Sequence, residues 1–185
     1  MNSLAVFIAK NNLNIIEGKI YSEQKRKISE LLKNNKKINN ILEIGFNAGH
    51  SADFFLSQRD DIKVTSVDIN KHNYVIPCSN YISTKYPDRH NLILGDSREV
   101  LPQIKEKFDF IFIDGGHDDD IPEKDIINCR KLSKKHTIVM LDDYECYHGA
   151  NVVKAFDKLV KEDFVIESEI PFRYGTRGWV LYKYV

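Results

Sequence analysis

Carboxylate side chains recur at the points where successive apolar, strand-like runs of this chain end. The residues are Glu43, Asp68, Asp96, Asp114 and the adjacent pair Asp142 and Asp143. In an open parallel sheet the carboxyl ends of the strands meet along one edge, and ligands bind there. Packing alone would favour apolar or small residues at these positions. The pattern therefore predicts a ligand site at that edge of the sheet.

Two glycines, Gly45 and Gly49, bracket the turn after the first predicted strand. Glycine lets a ligand approach the backbone, and the helix that follows presents free N–H groups at its N-terminus. A dinucleotide site normally has the pattern Gly-x-Gly-x-x-Gly, but Asn47 stands where the middle glycine would be. A ligand without a pyrophosphate fits this turn better. An ordinary tight turn between a strand and a helix is the alternative.

Asp68 ends the second predicted strand. A carboxylate at this place can accept both hydroxyl groups of a ribose, in nicotinamide-dinucleotide folds and in S-adenosylmethionine folds alike. It therefore predicts a nucleoside without saying which one, and a helix N-cap is the alternative. Asp96 and Ser97 are suited to cap the third predicted helix, and they can also face an adenine.

A second acidic group consists of Asp114, Asp142 and Asp143, which follow two strands expected to be neighbours. Hard oxygen ligands suit Mg²⁺, or Mn²⁺ in its place. Because consecutive strand residues point to opposite faces, Asp142 and Asp143 reach one ion only if the strand has ended or turned there. A set of capping and cofactor-side carboxylates is the alternative. His117 lies three residues after Asp114, and an unperturbed histidine can take a proton at physiological pH, although a lone histidine is more often structural.

The elements that must position these residues alternate along the chain. The predicted strands cover 40–46, 63–69, 91–95, 108–114, 137–142, 164–170 and 178–184. The predicted helices cover 21–32, 49–57, 72–85, 97–106, 122–132 and 151–161. This alternation indicates an α/β fold with a doubly wound, mostly parallel sheet. Two final strands without a helix between them indicate a C-terminal antiparallel hairpin, which gives seven strands in all.

Length and composition fit one globular domain of 185 residues, with a helical lead-in over 1–39 and a ligand-binding core over 40–185. Lysine plus arginine equals aspartate plus glutamate at 27 each, which argues against a dedicated nucleic-acid binder. No apolar run approaches the roughly 20 residues that span a bilayer, and residues 1–10 lack the features of a signal peptide. Three widely spaced cysteines indicate reduced thiols. We therefore expect a cytoplasmic protein with neither nucleic acid nor membrane as a partner.

Five motifs, in this order and spacing, resemble those of the class I S-adenosylmethionine-dependent methyltransferases, whose Rossmann-like sheet has the predicted outline. They are Ile41-Leu42-Glu43-Ile44-Gly45-x-x-x-Gly49-x-Ser51, Val67-Asp68, Gly95-Asp96-Ser97, Phe112-Ile113-Asp114-Gly115-Gly116-His117 and Leu141-Asp142-Asp143-Tyr144. The chain most resembles the small O-methyltransferases that include the macrolide-sugar (macrocin-type) enzymes and, more distantly, the catechol and caffeoyl-CoA enzymes. The resemblance begins at about Glu17, where Glu17-Gly18 is similar to a lead-in segment of that group.

The resemblance implies S-adenosylmethionine as the cofactor. The turn from Glu43 to Ser51 would hold the methionine part, Asp68 the ribose, and Asp96 with Ser97 the adenine. The cofactor-binding residues implied are Glu43, Gly45, Phe46, Asn47, Gly49, Ser51, Asp68, Asp96, Ser97 and Asp114. The resemblance also implies Mg²⁺ or Mn²⁺ on Asp114, Asp142 and Asp143. The catalytic residues implied are His117, as the base, and Asp114.

These expectations describe an O-methyltransferase that acts on a hydroxyl group of a small acceptor, with a sugar or a sugar-bearing metabolite as the leading candidate. The alternatives are a metal-independent methyltransferase, a nicotinamide-dependent reductase and a non-catalytic nucleoside-binding module. The missing middle glycine and the terminal hairpin count against the reductase. Arg173, Tyr174 and Arg177 are candidate acceptor contacts, with a solvated hairpin as the alternative. We expect the acceptor site to be open or to be completed by the second subunit of a homodimer.

Overall fold

The computed structural model describes residues 3–169, 171–174 and 177–185. The chain divides into two compact units, Met1–Gly95 and Asp96–Val185. Each unit is described by itself below, and the single domain over 1–185 stays a prediction. Ile170, the last residue of one predicted strand, and Gly175, in the predicted turn, lie outside the described residues.

The first unit is built on three parallel strands in the order β3-β2-β1. They are β1 (Asn40–Ile44), β2 (Lys63–Asp68) and β3 (His90–Leu94). Helix α3 (His50–Gln58) joins β1 to β2, and helix α4 (Val75–Lys85) joins β2 to β3. The consecutive residues Ile41 and Leu42 of β1 point to opposite faces of the strand, and both are completely buried. Such continuous burial is typical of a parallel strand covered on both faces.

Two helices precede β1. Helix α2 (Ser22–Asn34) buries Gln24, Ile28 and Leu32, which recur every four residues and therefore share one helix face. Helix α1 (Leu4–Lys10) was not among the predicted elements. It begins after Ser3, whose hydroxyl oxygen accepts a hydrogen bond from the Val6 N–H at 3.4 Å.

The second unit contains the strands β4 (Phe108–Ile113), β5 (Ser133–Asp142), β6 (Val165–Glu167), β7 (Phe172–Tyr174) and β8 (Arg177–Tyr184). Strands β4 and β5 are parallel, whereas β8 runs antiparallel to β5, β6 and β7. Its helices are α5 (Ser97–Val100), α6 (Ile121–Leu132) and α7 (Ala150–Lys161). In α7 the apolar side chains Val152, Phe156 and Leu159 are buried on one face.

The predicted fold class is confirmed, because the strands are mostly parallel and the C-terminal ones are antiparallel. The helix predicted over 97–106 is shorter than expected. It ends at Val100 and continues only as a 3₁₀ turn, Leu101–Gln103, since Pro102 lacks the N–H that an α-helix needs and restricts the residue before it. Strand β7 is an addition to the seven predicted strands. Within the described residues no helix is both long and apolar enough to cross a membrane.

Candidate active site

The turn over residues 45–49 joins β1 to α3 in a backbone conformation that requires glycine. Gly45 and Gly49 have φ values of 92° and 77°, which lie in the left-handed region that side chains disfavour. A Cβ atom on Gly49 would lie 2.6 Å from the ring of Phe46. Phe46 is itself buried, so its side chain supports the turn from below and only its backbone is available to a ligand.

Glu43 lies behind this turn and is completely buried. Its Oε1 accepts a hydrogen bond from the Ser51 hydroxyl group, and its Oε2 accepts one from the Ser66 hydroxyl group at 2.5 Å. Burial raises the pKa of Glu43 to about 7, against the opposing effect of the two serines. The carboxyl group therefore ties β1 to α3 and β2. Its predicted contact with a cofactor stays a prediction.

Asp68 ends β2 with both carboxylate oxygens oriented by backbone N–H groups. Oδ2 accepts a hydrogen bond from Asn47 N at 2.7 Å, and Oδ1 accepts one from Asn70 N at 2.7 Å. The helix that follows begins only at Val75, so Asp68 does not cap it. The structure thus brings Asp68 and the turn 45–49 together, as the sequence predicts.

Sequence reasoning named Asn47 and Glu17 near this turn but missed His72 and Ile69. The Oδ1 atom of Asn47 is buried and makes no hydrogen bond with any described residue. Glu17 Oε1 lies 2.9 Å from His72 Nε2 and 3.5 Å from Asn47 Nδ2. Ile69, directly after Asp68, is an apolar side chain that is 64% exposed. A signal for Ile69 was present in the sequence, because an apolar residue that follows a strand-ending carboxylate has no core to enter.

Asp96 caps helix α5 in the second unit, as one of the two sequence interpretations predicts. Its Oδ1 accepts a hydrogen bond from the Arg98 N–H at 2.9 Å, and its Oδ2 lies 2.6 Å from Arg98 Nη2. The Arg98 hydrogen bonds hold the pKa of Asp96 below its ordinary value. Ser97 is the first residue of α5. The predicted contact of both residues with an adenine stays a prediction.

Asp114, His117 and Asp143 form a cluster in which one ligand atom of each lies within 4.8 Å of the others. Strand β5 ends at Asp142, and Asp143 has a φ of 54°, so the chain turns at the point where the sequence argument required it. The described members of this cluster do not include Asp142. They do include His117, which the sequence analysis assigned as a base and not as a ligand.

Asp143 is the centre of this cluster. His117 Nε2 lies 2.8 Å from its Oδ2, and Arg177 Nη1 lies 3.2 Å from its Oδ1. The hydrogen bond to Asp143 raises the pKa of His117 above its ordinary value, although burial opposes the rise. Burial also pushes the pKa of Asp143 upwards, but the contacts with His117 and Arg177 outweigh it and the pKa is lowered. The pair is therefore a carboxylate that orients an imidazole and favours its protonated form.

Arg173 and Tyr174 are the two other candidate acceptor contacts. Arg173 pairs with Glu145 through its Nε. The side chain of Tyr174 lies outside the described part of the chain.

One further acidic residue was missed by the sequence analysis. Asp125, on α6, is completely buried, and neither of its carboxyl oxygens makes a hydrogen bond with a described residue.

Residues 42–144 match the model of a protein family described as a methyltransferase domain. The chain belongs to this methyltransferase family. The match covers the turn 45–49, Asp68 and the whole Asp114, His117 and Asp143 cluster. These residues therefore lie within the part of the chain that matches a methyltransferase domain.

Two curated relatives are similar to this methyltransferase. The O-methyltransferase imqG of Aspergillus flavus is 28% identical over 148 residues, which cover 76% of this chain and 55% of that protein. Catechol O-methyltransferase of Sus scrofa is 24% identical over 112 residues, which cover 57% of this chain and 60% of that protein. The chain thus spans little more than half the length of each of these relatives.

Solved structures share its fold at lower identity. The O-methyltransferase from Bacillus cereus in complex with SAH has a TM-score of 0.77 at 19% identity, covering 97% of this chain and 87% of that one. The O-methyltransferase TomG from Streptomyces achromogenes in complex with SAM has a TM-score of 0.72 at 17% identity, covering 97% and 96%. Both confirm the Rossmann-like methyltransferase fold of this chain.

Proposed function

We propose that the protein is an S-adenosylmethionine-dependent O-methyltransferase that acts on a hydroxyl group of a small acceptor, a sugar or a sugar-bearing metabolite, with the help of Mg²⁺ or Mn²⁺. The observation that carries the proposal is the convergence of Asp114, His117 and Asp143 in a methyltransferase domain. Two relatives named as O-methyltransferases support transfer to oxygen. A sugar and the catechol of the second relative's name are both vicinal diols, so both belong in the acceptor screen.

The turn 45–49, which we call the cofactor turn, would hold the methionine part of the cofactor. Its fit rests on Gly45 and Gly49, whose left-handed backbone and missing side chains let a ligand approach the main chain. Each oxygen of Asp68 accepts one N–H and keeps a lone pair for a ribose hydroxyl group. The exposed side chain of Ile69 offers an apolar surface for the adenine, in addition to the contacts predicted for Asp96 and Ser97. Bound S-adenosylmethionine supplies a sulfonium methyl group, which passes to the acceptor oxygen and leaves S-adenosylhomocysteine.

The metal would bind to the carboxylate oxygens of Asp114 and Asp143, with Asp142 as the further predicted ligand. These hard oxygen donors suit Mg²⁺ or Mn²⁺, which when bound lowers the pKa of an acceptor hydroxyl group. His117 removes the hydroxyl proton. Its Nε2 faces Asp143, so Nδ1 is the atom that takes the proton, while Asp143 orients the ring and stabilises its charged form.

A metal-independent methyltransferase is the second candidate, and one observation favours it. Both oxygens of Asp143 already have cationic or proton-donating partners, His117 and Arg177. A histidine held by a carboxylate can act as a base without a cation. In that case Asp143 orients His117 and binds no metal ion.

Calorimetric titration with S-adenosylhomocysteine, followed by methyl-transfer assays with and without a chelator, tests the proposal. We expect the product to bind, a chelator to lower the rate by about 100-fold or more, and Mg²⁺ to restore it. Asp114→Asn should abolish the Mg²⁺ response, and Asp60→Asn, at a fully exposed carboxylate, is the matched control. Full activity in the chelator would select the metal-independent enzyme. Product binding without turnover of any hydroxyl acceptor would select the non-catalytic module.

A further inference from the structure

We propose that His90 is a positioning residue for the cofactor turn. This inference rests on the proposed function, because it assumes that the turn 45–49 holds S-adenosylmethionine. His90 lies outside all five sequence motifs, and the sequence analysis gave it no role. In the structure it is the first residue of β3, and it contacts the supports of the turn in two independent ways.

The first contact is a chain of hydrogen bonds that ends on Glu43. His90 Nδ1 lies 3.2 Å from the Ser83 hydroxyl oxygen, and His90 Nε2 lies 3.2 Å from the Ser66 hydroxyl oxygen. Ser66 in turn donates to Glu43 Oε2 at 2.5 Å, and Glu43 Oε1 accepts from Ser51 in the first turn of α3. The chain therefore runs from α4 through β3, β2 and β1 to the helix that follows the cofactor turn.

When Glu43 is ionised, the proton inventory gives this chain one direction. Ser66 has a single hydroxyl proton and donates it to Glu43, so Ser66 must accept from the N–H of His90 Nε2. Burial lowers the pKa of His90 to about 4, so the ring is neutral at physiological pH and carries one N–H. Nδ1 is then an acceptor, and Ser83 donates to it. Each donor in the chain points towards the buried carboxyl group of Glu43.

The second contact is with Phe46, inside the cofactor turn. The two rings stack with centroids 5.1 Å apart and an interplanar angle of 28°. Phe46 in turn lies directly against Gly49, where an added Cβ atom would approach its ring to 2.6 Å. His90 thus supports the turn through Phe46 and holds the carboxyl group behind it through Ser66. A substitution at His90 therefore alters both supports while every residue of the cofactor turn itself stays unchanged.

Two substitutions separate the two contacts. His90→Phe keeps an aromatic ring for Phe46 but loses both ring nitrogens, whereas His90→Gln keeps an amide N–H for Ser66 but loses the ring. We expect His90→Phe to weaken S-adenosylhomocysteine binding about tenfold, because a buried hydrogen bond is left unmade. His90→Gln should recover part of that loss. The KM for S-adenosylmethionine should rise in parallel, while the KM for the acceptor stays unchanged.

The affinities are measured by calorimetry well below the melting temperature of each variant, so that a loss of stability alone does not change them. His136→Phe, at an exposed histidine of β5, is the matched control and should bind the product as the wild type does. Ser66→Ala removes one hydroxyl group from the chain and keeps the test open if His90→Phe does not fold. It should weaken binding in the same direction, and the double variant should be no weaker than the worse single one.

Wild-type affinity in His90→Phe or in Ser66→Ala would overturn the positioning role, and so would additive effects in the double variant. A different result would overturn the proposed function instead. If the wild type itself does not bind S-adenosylhomocysteine at millimolar concentration, the turn 45–49 is not a cofactor turn. The wild-type titration therefore distinguishes the two failures.

Discussion

Each of the two units buries one carboxyl group completely, Glu43 in the first and Asp125 in the second. Glu43 accepts hydrogen bonds from two serines on two other elements. No donor among the described residues lies within hydrogen-bond distance of Asp125, although Ser97 is near enough to lower its pKa. Burial nevertheless raises the pKa of both groups to about 7, from 4.5 for Glu43 and 3.8 for Asp125.

This comparison separates the effect of burial from the effect of partners. Burial penalises the ionised form of either carboxyl group and so sets how stability depends on pH. Partners decide what else is lost when the group is removed. Without Glu43, the hydroxyl groups of Ser51 and Ser66 lose their acceptor. Among the described donors, removal of Asp125 affects only Ser97, which lowers the pKa of Asp125 less than burial raises it. The two sites should therefore respond with opposite signs to substitution.

Asp125→Asn has the largest expected effect, and it is stabilising. The folded-state pKa of Asp125 lies above the unfolded value, so the folded protein holds this proton more tightly than the unfolded chain does. The stability that this difference contributes is complete below pH 4 and is lost as the pH rises to about 7. Asparagine keeps the shape of the side chain and cannot ionise. The free energy of unfolding should rise by about 4 kcal/mol at pH 8 and change little at pH 4. Urea unfolding at the two pH values measures the difference.

The control for this prediction is Asp60→Asn, at a fully exposed position, which should leave the unfolding free energy unchanged at both pH values. A gain for Asp125→Asn that is equal at pH 4 and pH 8 would mean that ionisation of this group is not its cause. A loss at pH 8 would mean that Asp125 has a partner that stabilises its charge. Either result would remove the contrast with Glu43.

The sequence predicted the scaffold of the site better than its buried polar groups. Local patterns are sufficient for β1, the glycines of the turn 45–49 and Asp68, because their roles follow from strand ends and backbone conformation. The sequence argument for a shared ion required the strand to end or turn at Asp143, and the positive φ of Asp143 shows that turn. His90 was missed because its partners Ser66 and Glu43 lie on other strands, and strand register is not a local property of the sequence. Asp125 was detectable, since it lies four residues before the buried Cys129 on the apolar face of α6.

Glu43→Leu is the next largest expected effect, and it is destabilising. At pH 5 Glu43 is mostly protonated in the folded protein. The substitution therefore removes little of the cost of a buried negative charge. Leucine leaves the Ser51 and Ser66 hydroxyl groups without an acceptor, which should lower the free energy of unfolding by about 3 kcal/mol. Asp125→Asn at the same pH should be stabilising. If the two substitutions had the same sign, hydrogen-bonding partners would not be what distinguishes the two carboxyl groups.

Ser51→Ala has the smallest expected effect, and its dependence on pH is the sharpest test of the comparison. A hydroxyl donor stabilises a carboxylate more than a carboxylic acid, so its removal should cost more once Glu43 is ionised. We expect a loss of about 1 kcal/mol at pH 5 and about 2 kcal/mol at pH 8, measured by urea unfolding. Ser57→Ala, whose exposed hydroxyl group donates to the Phe54 carbonyl at 2.7 Å, should lose less and show no change with pH. An equal loss for Ser51→Ala at both pH values would indicate that this serine contributes packing alone, and that Glu43 is no better supported in its ionised form than Asp125.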